Sequence, residues 1–369
     1  MKLGGVWHRS ISLWDDGGAV KVLDQRLLPW EVRWVRIETL DEACEAIAAM
    51  WVRGAPLIGM TAAWGLVLAL RADASDAAME AAARRLAATR PTAVNLAWAL
   101  ARMLETLRPL APSDRAAAGA VRAQALCDED AALSEAIGRH GLPLVEAALA
   151  RKAGTPGAAG PVNILTHCNA GWLATVDWGT ALAPIYRAHD AGLPVHVWVD
   201  ETRPRNQGAL LTAFELAQHG VPHTVISDNA GGLLMQRGQV DLAITGADRV
   251  AANGDVCNKV GTYLKALAAA DTGVPFHVAL PYSTFDPHCP TGAAIPIEER
   301  AAREQQLATG PLIDPVSGQE GADGPLATIR LTASPAANPA FDITPARLVT
   351  GYVTERGAGG LEMLAGPGA

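Results

Sequence analysis

The residue in this chain best placed for chemistry is Cys168, near the end of the stretch Pro161-Val-Asn-Ile-Leu-Thr-His-Cys-Asn-Ala-Gly171. A short apolar run stops abruptly there at His167, Cys168, Asn169 and a glycine, and a helix-like segment follows. That is the outline of a buried parallel strand entering a tight turn. Where the carboxyl end of a strand meets the amino end of a helix, a side chain faces a crevice and a field that favours negative charge. A thiol in that position can take part in chemistry, whereas most cysteines are inert packing.

The elements that must position it follow from the hydrophobic pattern. Residues 6 to 38 alternate short apolar runs with turns and read as a small antiparallel sheet, with a hairpin at Asp16-Gly17. From Thr39 the spacing turns helical, over 40–52, 57–71, 75–88, 94–107, 113–137 and 142–152. A Gly/Pro/Ala connector spans Ala153 to Gly160. Beyond it strand and helix alternate, with strands at 162–166, 195–199, 223–226, 242–245 and 276–280 and one more over 347–353. This interval means a parallel sheet covered by helices. The expected fold is therefore α/β, a mainly helical amino-terminal domain with a small antiparallel sheet followed by a Rossmann-like parallel-sheet domain. The boundary falls between residues 155 and 156, giving domains 1–155 and 156–369. The Gly/Pro/Asp-rich segment 301–337 finds no place in this scheme beyond loop and edge structure.

Polar residues collect where these strands end. Besides His167-Cys168-Asn169 there are Asp200-Glu201, Ser227-Asp228-Asn229, Gly246-Ala247-Asp248-Arg249 and Pro281-Tyr282-Ser283, while the strand bodies are almost wholly apolar. Turns are polar in any protein, so it is the concentration at one sheet edge that points to a small-molecule site. Arg53-Gly54-Ala55-Pro56 opens an apolar helix and suits an anion such as phosphate, with proline in the first turn and a guanidinium beside free N–H groups. Asn258-Lys259 reads as the start of another helix, 259–271, and Arg90 and Arg203-Pro-Arg-Asn-Gln207 add cationic and amide candidates. The glycine-rich fingerprints of nucleotide sites and the G-x-S-x-G elbow are absent, and the His167-Cys168 and His288-Cys289 pairs lack a zinc spacing. No metal site is expected.

The chain has 369 residues, enough for two cores, and a formal charge of -8 with a pI near 5.6. There is no general basic surface for nucleic acid or an anionic membrane. Five widely spaced cysteines without a C-x-x-C are not a disulfide framework. The amino terminus lacks a signal-peptide core, and the apolar run Leu57 to Leu70 is too short and too rich in Gly and Ala to span a bilayer. Together these describe a reduced, soluble, cytoplasmic protein.

Seven segments in order carry a closer likeness: Arg53-Gly-Ala-Pro, Thr166-His-Cys-Asn-Ala-Gly171, Glu201-Thr-Arg-Pro-Arg-Asn-Gln-Gly208, Ser227-Asp-Asn-Ala, Thr245-Gly-Ala-Asp-Arg249, Asn258-Lys-Val-Gly261 and Asn338-Pro-Ala-Phe-Asp342. From about Gly5 to Gly357 the chain resembles the methylthioribose-1-phosphate isomerase family. The wider superfamily includes regulatory subunits of translation initiation factor 2B and ribose-1,5-bisphosphate isomerases. The resemblance implies isomerisation of 5-methylthioribose 1-phosphate to 5-methylthioribulose 1-phosphate in methionine salvage, without metal or other cofactor, by a homodimer. Its alternatives are a related sugar 1-phosphate (5-deoxyribose 1-phosphate or ribose 1,5-bisphosphate) or a non-catalytic sensing protein of the initiation-factor type. Carried over by position, it makes Cys168 and Asp248 catalytic and Arg53, Gly54, Ala55, Arg90, Gln207, Asn258 and Lys259 substrate-binding. Because the anomeric carbon bears the phosphate, ring opening needs an acid at the ring oxygen, a role suited to an Asp248 kept protonated by burial. Cys168 then serves as the base at C2 or as a stabiliser of a hydride shift.

Overall fold

The computed structural model describes residues 2–91, 93–154, 160–313 and 326–364. Strands β1 (Lys2–Leu3) and β2 (Val6–Trp7) form a short antiparallel pair, and β3 (Ile11–Leu13), β4 (Val20–Leu23) and β5 (Trp34–Ile37) form the small antiparallel sheet expected from the alternation. Helix α1 (Leu40–Ala48) starts where Thr39 and Glu42 cap each other's backbone N–H groups in a capping box. It is followed by α2 (Ala55–Ala72), α3 (Asp76–Thr89), α4 (Val94–Leu107) and α5 (Pro112–Ala153).

Two expectations are corrected here. Helix α2, at 18 residues, is by length and composition able to cross a bilayer, unlike the shorter run read from the sequence. It is apolar on all sides because α1, α3, α4 and α5 enclose it, leaving 78% of it buried at the centre of the first hydrophobic cluster. The two helices expected over 113–137 and 142–152 are one helix of 42 residues, with Pro143 inside it. Gly138 and Gly141, which fall in the gap between the two expected helices, are there for contact. A β-carbon on Gly141 would lie 2.3 Å from the Pro184 ring, and one on Gly138 would lie 3.1 Å from the Ala183 carbonyl oxygen. The front half of α5 packs on α2 and α4 and its rear half on the following sheet layer. The expected boundary at 155/156 lies outside the described residues.

The rest of the chain builds two sheets. Its elements run β6 (Val162–Thr166), α6 (Ala183–Asp190), β7 (Val195–Asp200), α7 (Ala213–His219), β8 (His223–Ile226), α8 (Ala230–Gln236), β9 (Leu242–Thr245), β10 (Arg249–Ala251), β11 (Val256–Lys259), α9 (Thr262–Thr272), β12 (Phe276–Ala279) and β13 (Phe285–Asp286). They continue with α10 (Arg303–Gln306), β14 (Leu307–Gly310), β15 (Ala327–Arg330), β16 (Phe341–Thr344), β17 (Gly351–Thr354) and β18 (Gly357–Gly359). The large sheet has the order β18-β17-β12-β9-β6-β7-β8, parallel except for β18. Successive residues of β6 face opposite sides: Ile164 enters the cluster under α5, α6 and α7, and Leu165 the cluster under α8 and α9. The order reverses between β6 and β9, which is where doubly wound sheets open a ligand crevice.

A second sheet, β13-β10-β11-β16, stands next to that crevice. It corrects the expectation that Asn258 and Lys259 begin a helix. Both end strand β11, paired antiparallel with β16, and α9 starts only at Thr262. The strand expected over 347–353 begins at Gly351, after a single 3-10 turn. Within the unplaced segment 301–337, β14 and β15 pair antiparallel, and residues 314–325 lie outside the described residues.

Candidate active site

Cys168 and Asp248 follow the two strands between which the sheet order reverses, β6 and β9, and both open into one pocket. The other seven residues expected at the site, Arg53, Gly54, Ala55, Arg90, Gln207, Asn258 and Lys259, line the same pocket. The helical part of the chain delivers its share through the start of α2. Gly54 there has φ 94°, and a β-carbon on it would lie 2.3 Å from the Ala174 backbone. Only glycine lets the amino end of α2 press against the loop that follows Cys168.

Cys168 itself has a left-handed backbone, φ 66°. Its N–H donates to Thr202 Oγ1 at 2.9 Å, and its carbonyl accepts from Thr212 Oγ1 at 2.8 Å. The helix-like segment expected after it is a 3-10 turn, Trp172–Ala174, and the next α-helix begins only at Ala183. The field expected from a helix starting directly after Cys168 is therefore missing, and burial pushes the Cys168 thiol up, with Lys259 opposing the rise. Asp248 is surrounded by protein except toward the pocket. Burial raises its carboxyl too, against the pull of Lys259 and Arg90, as the sequence reading required of an acid.

Positive charge is built in around this pair. Burial lowers Arg53 to about 9, with Arg205 and Arg300 adding like-charge repulsion, and among the described residues no carboxylate pairs with it. Lys259 Nζ donates to the Ala340 carbonyl at 2.8 Å and stands 5.1 Å from the Phe341 ring centre, likewise without a carboxylate partner among the described residues. Burial lowers its pKa as well. Arg90 faces Glu298 at 3.5 Å. The buried Nε atoms of Arg53 and Arg90 and Oε1 of Gln207 have no hydrogen-bond partner among the described residues, as befits groups awaiting a polar ligand.

The sequence reading missed several lining residues. Met50 sits just before the Arg53 motif, and Arg205 lies inside a motif it quoted without being singled out. Arg300 comes from the Pro- and Glu-containing stretch before α10, where no local pattern marks it; Glu304 holds both arginines, at 2.8 Å from Arg205 and 3.2 Å from Arg300. Under the pocket floor, His167 Nδ1 lies 2.8 Å from Asp200 Oδ2 and its Nε2 2.9 Å from the Val260 carbonyl. His167, Asp200 and Asp228 are near enough together to hold a cation. The ammonium of Lys265 already serves that cluster, 3.1 Å from Asp200 Oδ2 and bonded to the Asp228 carbonyl.

Residues 51–359 match the model of the Initiation factor 2 subunit family. The chain belongs to the Initiation factor 2 subunit family. Within that family it is 58% identical to the methylthioribose-1-phosphate isomerase of Gluconobacter oxydans, over 97% of this chain and 95% of the relative. It is 59% identical to that of Methylorubrum extorquens, over 97% and 94%. Of solved family structures, 5-methylthioribose 1-phosphate isomerase from Pyrococcus horikoshii superposes with a TM-score of 0.77 at 36% identity, covering 95% of this chain and 92% of that one. The delta subunit of translation initiation factor eIF-2B from A. fulgidus gives 0.75 at 34%, covering 95% and 96%. The family thus joins enzymes and translation-factor subunits on one fold, and this chain stands with its methylthioribose-1-phosphate isomerases.

Proposed function

We propose that the chain isomerises 5-methylthioribose 1-phosphate to 5-methylthioribulose 1-phosphate, a step of methionine salvage, with Cys168 and Asp248 as the catalytic pair. The observation that carries this is their meeting at the reversal of the sheet order, beside two cations, Arg53 and Lys259, that lack a carboxylate partner among the described residues. Two such cations match one phosphate dianion. A bisphosphate would ask for more, since Arg90, Arg205 and Arg300 already face Glu298 or Glu304.

Protonated Asp248 gives its proton to the ring oxygen as the bond from that oxygen to C1 breaks. The positive charge left at C1 is satisfied by hydrogen from C2. In the hydride route the hydrogen moves with its electron pair from C2 to C1, and the C2 hydroxyl becomes the carbonyl by giving its proton to the Asp248 carboxylate that ring opening left behind. In the proton route a base removes hydrogen from C2 and C1 is protonated afterwards. A thiol with a raised pKa is a poor base near neutrality, and a bound phosphate dianion raises it further, so the arrangement favours the hydride route with Cys168 against the reacting carbons. Gly54, Ala55, Arg53, Arg90, Lys259, Asn258 and Gln207 hold the phosphate and the sugar hydroxyls.

The same reading divides the chain near residue 155 into a helical part and a Rossmann-like catalytic part, with α5 laid across both. It makes the protein a homodimer in the cytoplasm, in keeping with exposed Val225 on the edge strand β8, exposed Leu233 and Leu264 on the neighbouring helices α8 and α9, and five unpaired cysteines. Turnover assays with purified protein on 5-methylthioribose 1-phosphate, 5-deoxyribose 1-phosphate and ribose 1,5-bisphosphate test the reading. The methylthio substrate should give the highest kcat/KM, and no turnover of any of them would overturn it.

A further inference from the structure

The loop after Cys168 is fastened from below by one side chain that does not line the pocket. Glu215, on α7, is completely buried. Its Oε1 accepts from Asn169 Nδ2 at 2.7 Å and the Leu173 N–H at 3.1 Å, and its Oε2 accepts from the Trp172 N–H at 2.8 Å and the Tyr186 hydroxyl at 2.9 Å. All four partners are donors. The loop passes so close that a β-carbon on Gly171 would lie 1.8 Å from Glu215 Oε2. Asn169 Nδ2 also donates to Thr212 Oγ1 at 3.2 Å, the hydroxyl that holds the Cys168 carbonyl. The carboxylate is thus tied, through the Asn169 side chain and the Thr212 hydroxyl, to the backbone of a cysteine in a left-handed conformation that its surroundings must hold in place.

We infer that Glu215 is a positioning residue for the isomerisation, its ionised carboxylate fixing the loop 169–173 and through it the placement of Cys168. The inference rests on the proposed reaction for its kinetic readout but not for its geometry. A protonated Glu215 has one oxygen that must donate, and among its partners in the described residues only the Tyr186 hydroxyl can turn to accept, by reversing its own bond. Even with Tyr186 reversed, protonation removes the negative charge that strengthens the bonds accepted from Asn169, Trp172 and Leu173, so the loop is held more weakly. Burial raises this carboxyl to about 7 against the pull of its four hydrogen bonds, so the change falls near neutral pH. Tyr186 on α6 is the one titratable group that touches it among the described residues. Asp177, in the loop before α6, and His219, on α7, act on Tyr186, the latter stacking on its ring with centroids 4.6 Å apart.

The test uses the whole protein in three forms: wild type, Glu215→Gln and Tyr186→Phe. Wild-type kcat should fall as pH drops through about 7. Tyr186→Phe removes a bond that is stronger to the carboxylate than to the protonated acid, so this acid limb should move to higher pH while the plateau above it stays within about threefold of wild type. Glu215→Gln should lower the plateau kcat about tenfold or more, with KM within threefold because the phosphate contacts lie on other elements, and should lose the limb. Alkylation of Cys168 by iodoacetamide, followed by mass spectrometry, should be several-fold faster in Glu215→Gln, an outcome that does not depend on the substrate assignment. An acid limb that Tyr186→Phe leaves unmoved, or wild-type kcat and alkylation rate in folded Glu215→Gln, overturns the inference. If Glu215→Gln does not fold, the wild-type and Tyr186→Phe profiles decide alone. Absence of wild-type turnover with the alkylation difference intact would sink the substrate reading and leave the positioning role standing.

Discussion

At the scale of single residues, the pair Cys168 and Asp248 carries the account. Asp248→Asn keeps the shape and removes the proton that opens the ring, so kcat should fall by roughly 10²–10⁴, the usual worth of a general acid. Burial holds its folded carboxyl above the ordinary range, and the proposed mechanism uses the protonated form. Wild-type activity should therefore also decline on the alkaline side, as pH rises through that raised value, and steady-state rates across pH check both statements. Cys168→Ala should lose a comparable factor with the fold intact by circular dichroism, and full activity in either variant would remove that residue from the mechanism. The residue types were legible because thiol, carboxyl and guanidinium stood at the ends of apolar runs. Their protonation was only half legible. Burial of Asp248 could be read from its setting, whereas the field expected at Cys168 depended on a helix that starts fifteen residues later, at Ala183.

Among the elements, two close approaches decide how the helical part meets the sheet. Gly54→Ala places a β-carbon into the Ala174 backbone at a positive φ, so the start of α2 must withdraw from the loop behind Cys168. The expected result is a rise in KM of tenfold or more, read from initial rates, because Arg53 and the first N–H groups of α2 move with it. Gly141→Ala improves local helix propensity by about 1 kcal/mol. It drives the new methyl into the Pro184 ring, and overpacking of this kind costs roughly 1–3 kcal/mol, so the melting temperature should fall by a few degrees. The sequence showed helices and strands well wherever period and length agreed. It failed at Gly138 to Pro143, where close packing on α6 looks like a turn, and at Lys259, where pairing with Phe341 across β11 and β16 outweighs a local resemblance to a helix start.

For the whole molecule, buried acids set the pH dependence of stability. Asp130, in α5, and Glu215 both have carboxyls raised to about 7 by burial. Between about pH 4 and pH 7 the folded chain therefore holds protons that the unfolded chain has released, and stability falls as pH rises through that window, by on the order of 3 kcal/mol per group. Urea midpoints should be higher at pH 5 than at pH 8, and Asp130→Asn should reduce the difference; a midpoint that rises over that range would contradict it. The strand order that brings β6 and β9 together is the part of the architecture no local pattern revealed, since every strand in the run looks alike and only their pairing creates the crevice. The measurement that tests the central claim most directly is proton NMR of the purified protein with 5-methylthioribose 1-phosphate in deuterated water. The account predicts 5-methylthioribulose 1-phosphate with little or no deuterium at C1, as a hydride shift requires. Product carrying solvent deuterium at C1 would contradict the hydride route and return Cys168 to the role of base, and no product at all would contradict the function.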